Sequence, residues 1–274
     1  MKRAAATLSV SAMFALALSA AGARAEVTPI EPSPRDPSRP AFQLYAEFDL
    51  PALGIGVVFA GARLVRTQKA WCAPRCDEKD LNAFDRLTAG RWDPAWTNVS
   101  NIGIAAVIAA PAIYLLADEG PLNALNDAVV IGEAALLASA TSTIMTVAAG
   151  RPRPFLYGDK APLEDRNTVD ASMSFISSHT AISFAVATST WMTYRRLHPR
   201  SRAHWLVLAV GDAAATLVGT ARMLAGRHFP TDVLSGAIVG TSVGVMVPAL
   251  HGAPVQVVPT AGKDHAGLAV TGFF

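Results

Sequence analysis

From Asn101 onwards the chain alternates long apolar stretches with short polar breaks, at about 101–117, 124–149, 179–194, 205–225 and 231–250. Each stretch approaches the roughly 20 residues that cross the hydrocarbon layer of a bilayer, so the pattern predicts five helices. A further apolar run at 49–65, DLPALGIGVVFAGARLV, is broken by Pro51, Gly54, Gly56 and Gly61, which argues against a continuous span and for a segment lying on the surface or packed sideways. The fold class expected is all-α, a bundle of about five to six mostly membrane-embedded helices. Glu133 and Asp212 interrupt two of the stretches. Charges at that depth are costly unless they face the bundle interior, and an alanine-rich soluble bundle fits the same pattern. After Leu250, VQVVPTA and GLAVTGFF flank GKDHA and fit a short C-terminal β hairpin.

The remaining regions differ in texture. Residues 1–25 carry Lys2 and Arg3, a mostly apolar stretch from about Ala4 to Leu18, then Ala23-Arg24-Ala25, the layout of a secretory signal cleaved before Glu26. Residues 26–47 begin as a proline-rich leader, EVTPIEPSPRDPSRP. Residues 48–100 read as a cap region on the exported side, 101–250 as the helical core and 251–274 as a tail or hairpin. Trp71, Trp92 and Trp96 suit either a membrane interface or the core of a small cap. Cys72 and Cys76 are the only cysteines; behind a signal sequence they fit a local disulfide, while two thiols without a histidine pair are half of a zinc site.

Composition narrows the partners. Hydrophobic residues make up 51% of the chain, which favours a membrane over a soluble setting. Removing the signal takes three basic and no acidic residues, so the formal charge of +2 becomes −1 and nucleic-acid binding loses its basis. The loop at 195–204 holds four arginines, as a cytoplasmic loop would. The histidine-bearing loops after the second and fourth core helices then face the exported side, provided 49–65 does not cross the bundle.

Three polar corners stand out against this background. In TARMLAGRHFPTDVLSGAIVG, Arg222, His228 and Asp232 precede and open a helix that starts at Pro230. Ser177, Ser178 and His179 open another, and Arg151 and Arg153 lie in Gly150-Arg151-Pro152-Arg153-Pro154. Each corner alone is also how an ordinary helix is capped. Together they supply guanidinium groups, hydroxyls and helix-end N–H groups, which match the equatorial oxygens of a transferring phosphoryl group without a metal or cofactor. One histidine can attack while the other protonates the leaving group, with Asp232 accepting a proton from one ring nitrogen of His228. His251 and His265 have no partner legible in the sequence.

These residues resemble the type 2 phosphatidic acid phosphatase family, which shares its helical core with vanadium haloperoxidases and bacterial class A acid phosphatases. The family motifs read KxxxxxxRP, PSGH and SRxxxxxHxxxD. Here the third is met at Arg222, His228 and Asp232, with Ala221 for its serine. The second is met at Ser177 and His179, with Ile176 and Ser178 for Pro and Gly, and the first at Arg153 and Pro154, with Thr146 at the lysine position. The resemblance covers roughly residues 100–250. It implies that His228 attacks phosphorus, Asp232 orients it, His179 protonates the leaving oxygen, and Arg153, Arg222, Ser177, Ser178 and Thr146 hold the phosphate.

The function so implied is metal-independent hydrolysis of a lipid phosphate or diphosphate through a phosphohistidine, at a periplasm-facing site of a bacterial inner membrane. Two alternatives follow from the same residues. One is a soluble periplasmic or secreted acid phosphatase for small phosphomonoesters. The other is a weakened phosphate-binding or scaffold protein, since a lost lysine contact costs on the order of 2–4 kcal/mol of transition-state stabilisation. The cations nearest in sequence that offer a replacement are Arg151 and Lys160.

Overall fold

The computed structural model describes residues 40–252, 256–262 and 265–271. Seven helices occur among them: α1 (Ala46–Ala60), α2 (Pro94–Glu119), α3 (Pro121–Ala149), the single turn α4 (Leu163–Arg166), α5 (Ser178–Leu197), α6 (His204–Leu224) and α7 (Pro230–Gly252). The signal sequence and most of the leader lie outside the described residues. Helix α2 begins seven residues before the expected Asn101 because Asp93 caps it, accepting from Ala95 N at 2.9 Å, and Pro94 takes the first helical position. Gly120, at φ 75°, separates α2 from α3, and Gly150, at φ 57°, ends α3 with its N–H on the Thr146 carbonyl at 3.1 Å.

The bundle is arranged around α5, which packs against α2, α3, α6 and α7. It is rich in serine and threonine, yet buried; three of its hydroxyls turn back onto its own carbonyls, Ser189 to Ala185 at 2.7 Å, Thr190 to Val186 at 2.6 Å and Thr193 to Ser189 at 2.8 Å, while those of Ser183 and Thr188 have no hydrogen-bond partner among the described residues. Helix α7 approaches α5 along Gly236, Gly240 and Gly244. A Cβ at Gly240 would collide with the Ala181 carbonyl, so only a stripe without side chains allows this spacing. Among the described residues four helices, α2, α3, α6 and α7, are long and apolar enough to cross a membrane, and the all-helical bundle expected from the pattern is what the fold shows. The C-terminal strands β1 (Gln256–Gly262) and β2 (His265–Thr271) pair antiparallel, Gln256 opposite Thr271 and Gly262 opposite His265; Phe274 lies outside the described residues.

One element departs from expectation. The run at 49–65 does not lie sideways: it forms α1 and a 3-10 turn, Gly61–Val65, alongside α3. At one end Ala41 and Phe42 donate their N–H groups to Asp127 at 2.8 and 2.9 Å, and at the other Arg66 donates to the Val147 carbonyl. Those anchors are twenty residues apart on α3, about 30 Å of helix. Gly56, which weakens α1 as a helix, is where it meets α3, for a Cβ there would stand 2.7 Å from Leu136 Cγ. The proviso that 49–65 does not cross the bundle is therefore not met.

Candidate active site

The C-terminal ends of α3 and α6 and the N-terminal ends of α2, α5 and α7 converge at one end of the bundle, where Ser142 meets Ser178, Ser177 meets Asp232 and Arg222 meets Ser100. The segment 67–93 covers this end. Cys72 and Cys76 are joined by a disulfide, and Cys76 N and Gly90 N each donate at 2.9 Å to the carbonyls of Leu156 and Pro154. Leu81, Phe155, Leu156, Tyr157 and Phe229 form a shared apolar core between this segment and the loops below it. Trp92 packs edge-on against Phe155 at 5.1 Å, whereas Trp71 is exposed.

The loop Ala225–Phe229 carries His228. Gly226 turns it at φ 73°, where a Cβ would strike the Arg91 carbonyl, and Arg227 N returns to Arg222 O at 3.0 Å. The imidazole is thereby driven inward to 1% exposure. Its Nδ1 lies 2.7 Å from the Ser174 carbonyl. A carbonyl only accepts, so Nδ1 carries the proton and Nε2 presents a lone pair. Arg153 Nη1 lies 3.5 Å from that Nε2. Burial first, then the charges of Arg153, Arg222 and His179, hold the His228 pKa well below 6.5. The ring is therefore a neutral base with its nucleophilic nitrogen beside a guanidinium.

Asp232 does not hold His228 directly. Its Oδ2 is 3.9 Å from Nδ1 and instead accepts from Ser174 Oγ at 2.5 Å and Phe229 N at 2.8 Å. Its Oδ1 accepts from Arg151 at 2.5 Å. The carboxylate thus braces the two chain segments that fix the ring. Arg151 also pairs with Asp85 at 2.6 Å, and Asp85 accepts from Thr231 N at 3.1 Å, tying residues 67–93 to the start of α7. Burial pushes the Asp85 carboxyl up, but bonds from Arg151, Thr231 and Asn82 outweigh it and hold it below its ordinary range.

The other predicted residues divide into engaged and available groups. Arg153 is fixed by Asp170, through Nε to its carbonyl at 2.8 Å and Nη2 to its carboxylate at 2.7 Å, and by the Arg227 carbonyl at 2.8 Å. Arg222 is nearly buried, with Nη1 3.3 Å from Ser100 Oγ. Ser177 caps α5 and accepts from Thr180 Oγ1 at 2.9 Å, so its own hydroxyl proton is not consumed by that bond. Ser178 pairs with Ser142 at 2.8 Å, and the half-buried His179 places Nε2 3.0 Å from Asn101 Oδ1. Thr146 is 0% exposed and directs its one proton to the carbonyls of Ser142 and Ile176, at 2.7 and 3.2 Å. Neither named substitute fills the lysine's place: Arg151 is clamped between two carboxylates and Lys160 is exposed. Arg227, outside the predicted set, lies next to Arg153. Arg227 pairs with Asp170 at 3.2 Å and lies over Trp92 at 5.0 Å; burial and the charge of Arg153 lower its pKa.

Sequence reasoning missed Ser174, Asp170, Asp85, Ser100 and Asn101. The only signal for the first two is their position in the polar approach to Ser177; nothing local marks the others. Below Arg222 an apolar cleft of about 810 Å³ opens between α2, α5 and α6. It starts at Val99, Gly103 and Val218, beside the Ser100–Arg222 contact, and ends at Tyr114 and Tyr194. There Tyr114 and Asp118 meet His198 at 3.2 and 3.0 Å.

The PAP2 superfamily profile matches residues 127–255. A lipid A 1-phosphatase of Porphyromonas gingivalis is 40% identical over 74 residues, which is 27% of this chain and 15% of that protein. Two crystal structures are similar in fold. The transmembrane PAP2 type phosphatidylglycerolphosphate phosphatase from Bacillus subtilis aligns over 74% of this chain and 94% of its own at 21% identity, TM-score 0.45. LpxE of Aquifex aeolicus aligns over 63% and 98% at 23% identity, TM-score 0.44.

Proposed function

The chain belongs to the PAP2 superfamily over residues 127–255, and on that premise we propose that it hydrolyses a lipid phosphate or diphosphate through a phosphohistidine on His228. The observation that carries this reading is the His228 ring itself, neutral, with Nδ1–H on Ser174 and Nε2 beside Arg153. Nε2 attacks phosphorus, the bond to the leaving oxygen breaks, and His179 gives that oxygen its proton. His179 then takes a proton from water, whose oxygen attacks the phosphohistidine. The P–N bond breaks, phosphate leaves and His228 is neutral again. Arg153, Arg222 and Ser177 hold the equatorial oxygens. No step requires a metal.

The apolar cleft supports a lipid rather than a small phosphomonoester, because it leads away from the phosphate end and offers apolar surface along three helices. Orientation rests on the loop 195–204, whose four arginines lie at the opposite end of the bundle from the site; with those arginines cytoplasmic, the site faces the periplasm. Phe42 then stands on the arginine side. A chain exported from Glu26 onwards would place it on the other, so the signal sequence and the arginine loop give opposite answers, and we take the loop. Labelling single cysteines at Lys160 and Ser201 with an impermeant reagent in intact spheroplasts tests this: labelling of Ser201 alone reverses the orientation.

The function is tested by phosphate release from lipid phosphates, lipid diphosphates and a soluble phosphomonoester, using wild type and His228→Ala prepared alike. Release favouring lipids and absent from the variant is expected. Equal release by both contradicts the proposal. Release by neither points to the weakened, phosphate-binding reading, and Thr146→Lys then restores turnover if the missing lysine is the defect.

A further inference from the structure

Helix α7 carries a second histidine–carboxylate cluster at its far end, nineteen residues and about 28 Å from Asp232. His251 Nε2 lies 3.0 Å from Asp49 Oδ1 of α1 and 3.3 Å from Glu133 Oε2 of α3. The donor atoms of the three residues all fall within 4.8 Å of one another. Asp49 and Glu133 are buried, Glu133 at 2% exposure. None of these groups takes part in the phosphate site.

The hydrogen bonds around the cluster are unbalanced. His251 Nδ1 lies 2.9 Å from the Val247 carbonyl, so Nδ1 carries the proton. The ring's Nε2 faces two carboxylate oxygens, Asp49 Oδ1 and Glu133 Oε2, and the second Asp49 oxygen accepts from Tyr45 N at 2.6 Å. Glu133 Oε1, equally buried, has no hydrogen-bond partner at all. Arg196 reaches this end of the bundle but donates to the Gly252 carbonyl at 2.7 Å and lies over the Phe42 ring. Two buried carboxylates around one imidazole nitrogen, with Glu133 Oε1 unsatisfied, call for positive charge in the cluster.

We propose that Asp49, Glu133 and His251 bind a structural divalent metal ion, zinc being the best fit. Imidazole with carboxylates is a borderline donor set suited to zinc. Donor atoms on a tetrahedral ion with bonds of about 2.0–2.1 Å stand about 3.3 Å apart, close to the 3.0 and 3.3 Å that separate His251 Nε2 from the two carboxylates. The Nδ1–H bond to Val247 is the second contact that fixes a ligating histidine. A water completes the fourth position. The ion ties α1 to α3 and α7 at the end of the bundle remote from the phosphate site, so its role is to hold the helices and not to take part in hydrolysis.

The full-length protein in detergent, exposed to zinc and then dialysed against metal-free buffer, should retain about one zinc per chain by elemental analysis. Glu133→Gln and His251→Ala should lose it, and His228→Ala should keep it. Chelation should lower the wild-type unfolding temperature by about 5 °C or more, reversed by zinc. Cobalt(II) needs no variant: it should give visible bands in wild type that zinc displaces. Absence of these bands with no retained zinc, or zinc content equal in wild type and both cluster variants, overturns the proposal in favour of a proton shared among the three side chains.

Discussion

Two histidines on or beside α7 make the same first contact and the opposite second one. His228 and His251 each donate Nδ1–H to a backbone carbonyl, at 2.7 and 2.9 Å, and each thereby turns Nε2 towards groups on other segments. At the N-terminal end Nε2 meets Arg153, with Arg222 close enough to depress its pKa. At the C-terminal end it meets Asp49 and Glu133. In the proposed reaction the first ring attacks phosphorus, and in the proposed metal site the second binds a cation. A histidine's role in this fold is decided by the charge around Nε2, which arrives from other helices, and not by the histidine's own local sequence.

The sharpest way to break this comparison is to remove the proposed nucleophile. His228→Ala should lower lipid phosphate turnover by at least about a thousandfold, measured as released phosphate, with the folded bundle retained by circular dichroism. Arg222→Ala removes charge from the anion end and should cost about 2–4 kcal/mol in kcat/KM, roughly thirtyfold to several hundredfold. Val218→Trp fills the mouth of the cleft and should reduce kcat/KM for a lipid about tenfold while leaving a soluble phosphomonoester nearly unchanged; an equal loss on both would show that the cleft does not take the lipid chain.

The smallest effect is that of mild acid. The folded-state pKa of His228 lies well below the 6.5 of an unfolded histidine. Its contribution to stability is fully present above pH 6.5 and is lost as pH falls below that value, when the unfolded chain takes up a proton that the folded chain refuses. Between pH 8 and 6.5 the nucleophile stays neutral, so this group should change the rate by less than about twofold, while Tm begins to fall only below that range.

How much of this was legible in the sequence differs between the two ends. Arg222, His228 and Asp232 lie within one stretch, and their grouping at a helix start follows from Pro230 alone. What orients His228 does not: Ser174 is 54 positions away, and Asp232, expected to hold the ring, acts one bond further back through Ser174 and Phe229. Asp85 reaches Thr231 across 146 positions from a loop with no marking feature. At the far end, the expectation that Glu133 faces the interior was available from its cost in lipid, but its partners His251 and Asp49 come from other helices. The start of α2 was misplaced because the polar turn after Asp93 breaks the apolar pattern without breaking the helix. The path of α1 was missed because Gly56 reads as a helix breaker, although it is the contact with α3.

The central claim is that His228 carries the phosphoryl group. A rapid-quench reaction with phosphorus-labelled lipid phosphate, stopped in base and analysed by peptide mass spectrometry, should find an acid-labile, base-stable phosphohistidine on the peptide containing His228. It should be missing from His228→Ala and accumulate when His179 is replaced by Gln at a slow-hydrolysis pH. Turnover of the lipid without any label at His228, or with label on another side chain, would contradict the account.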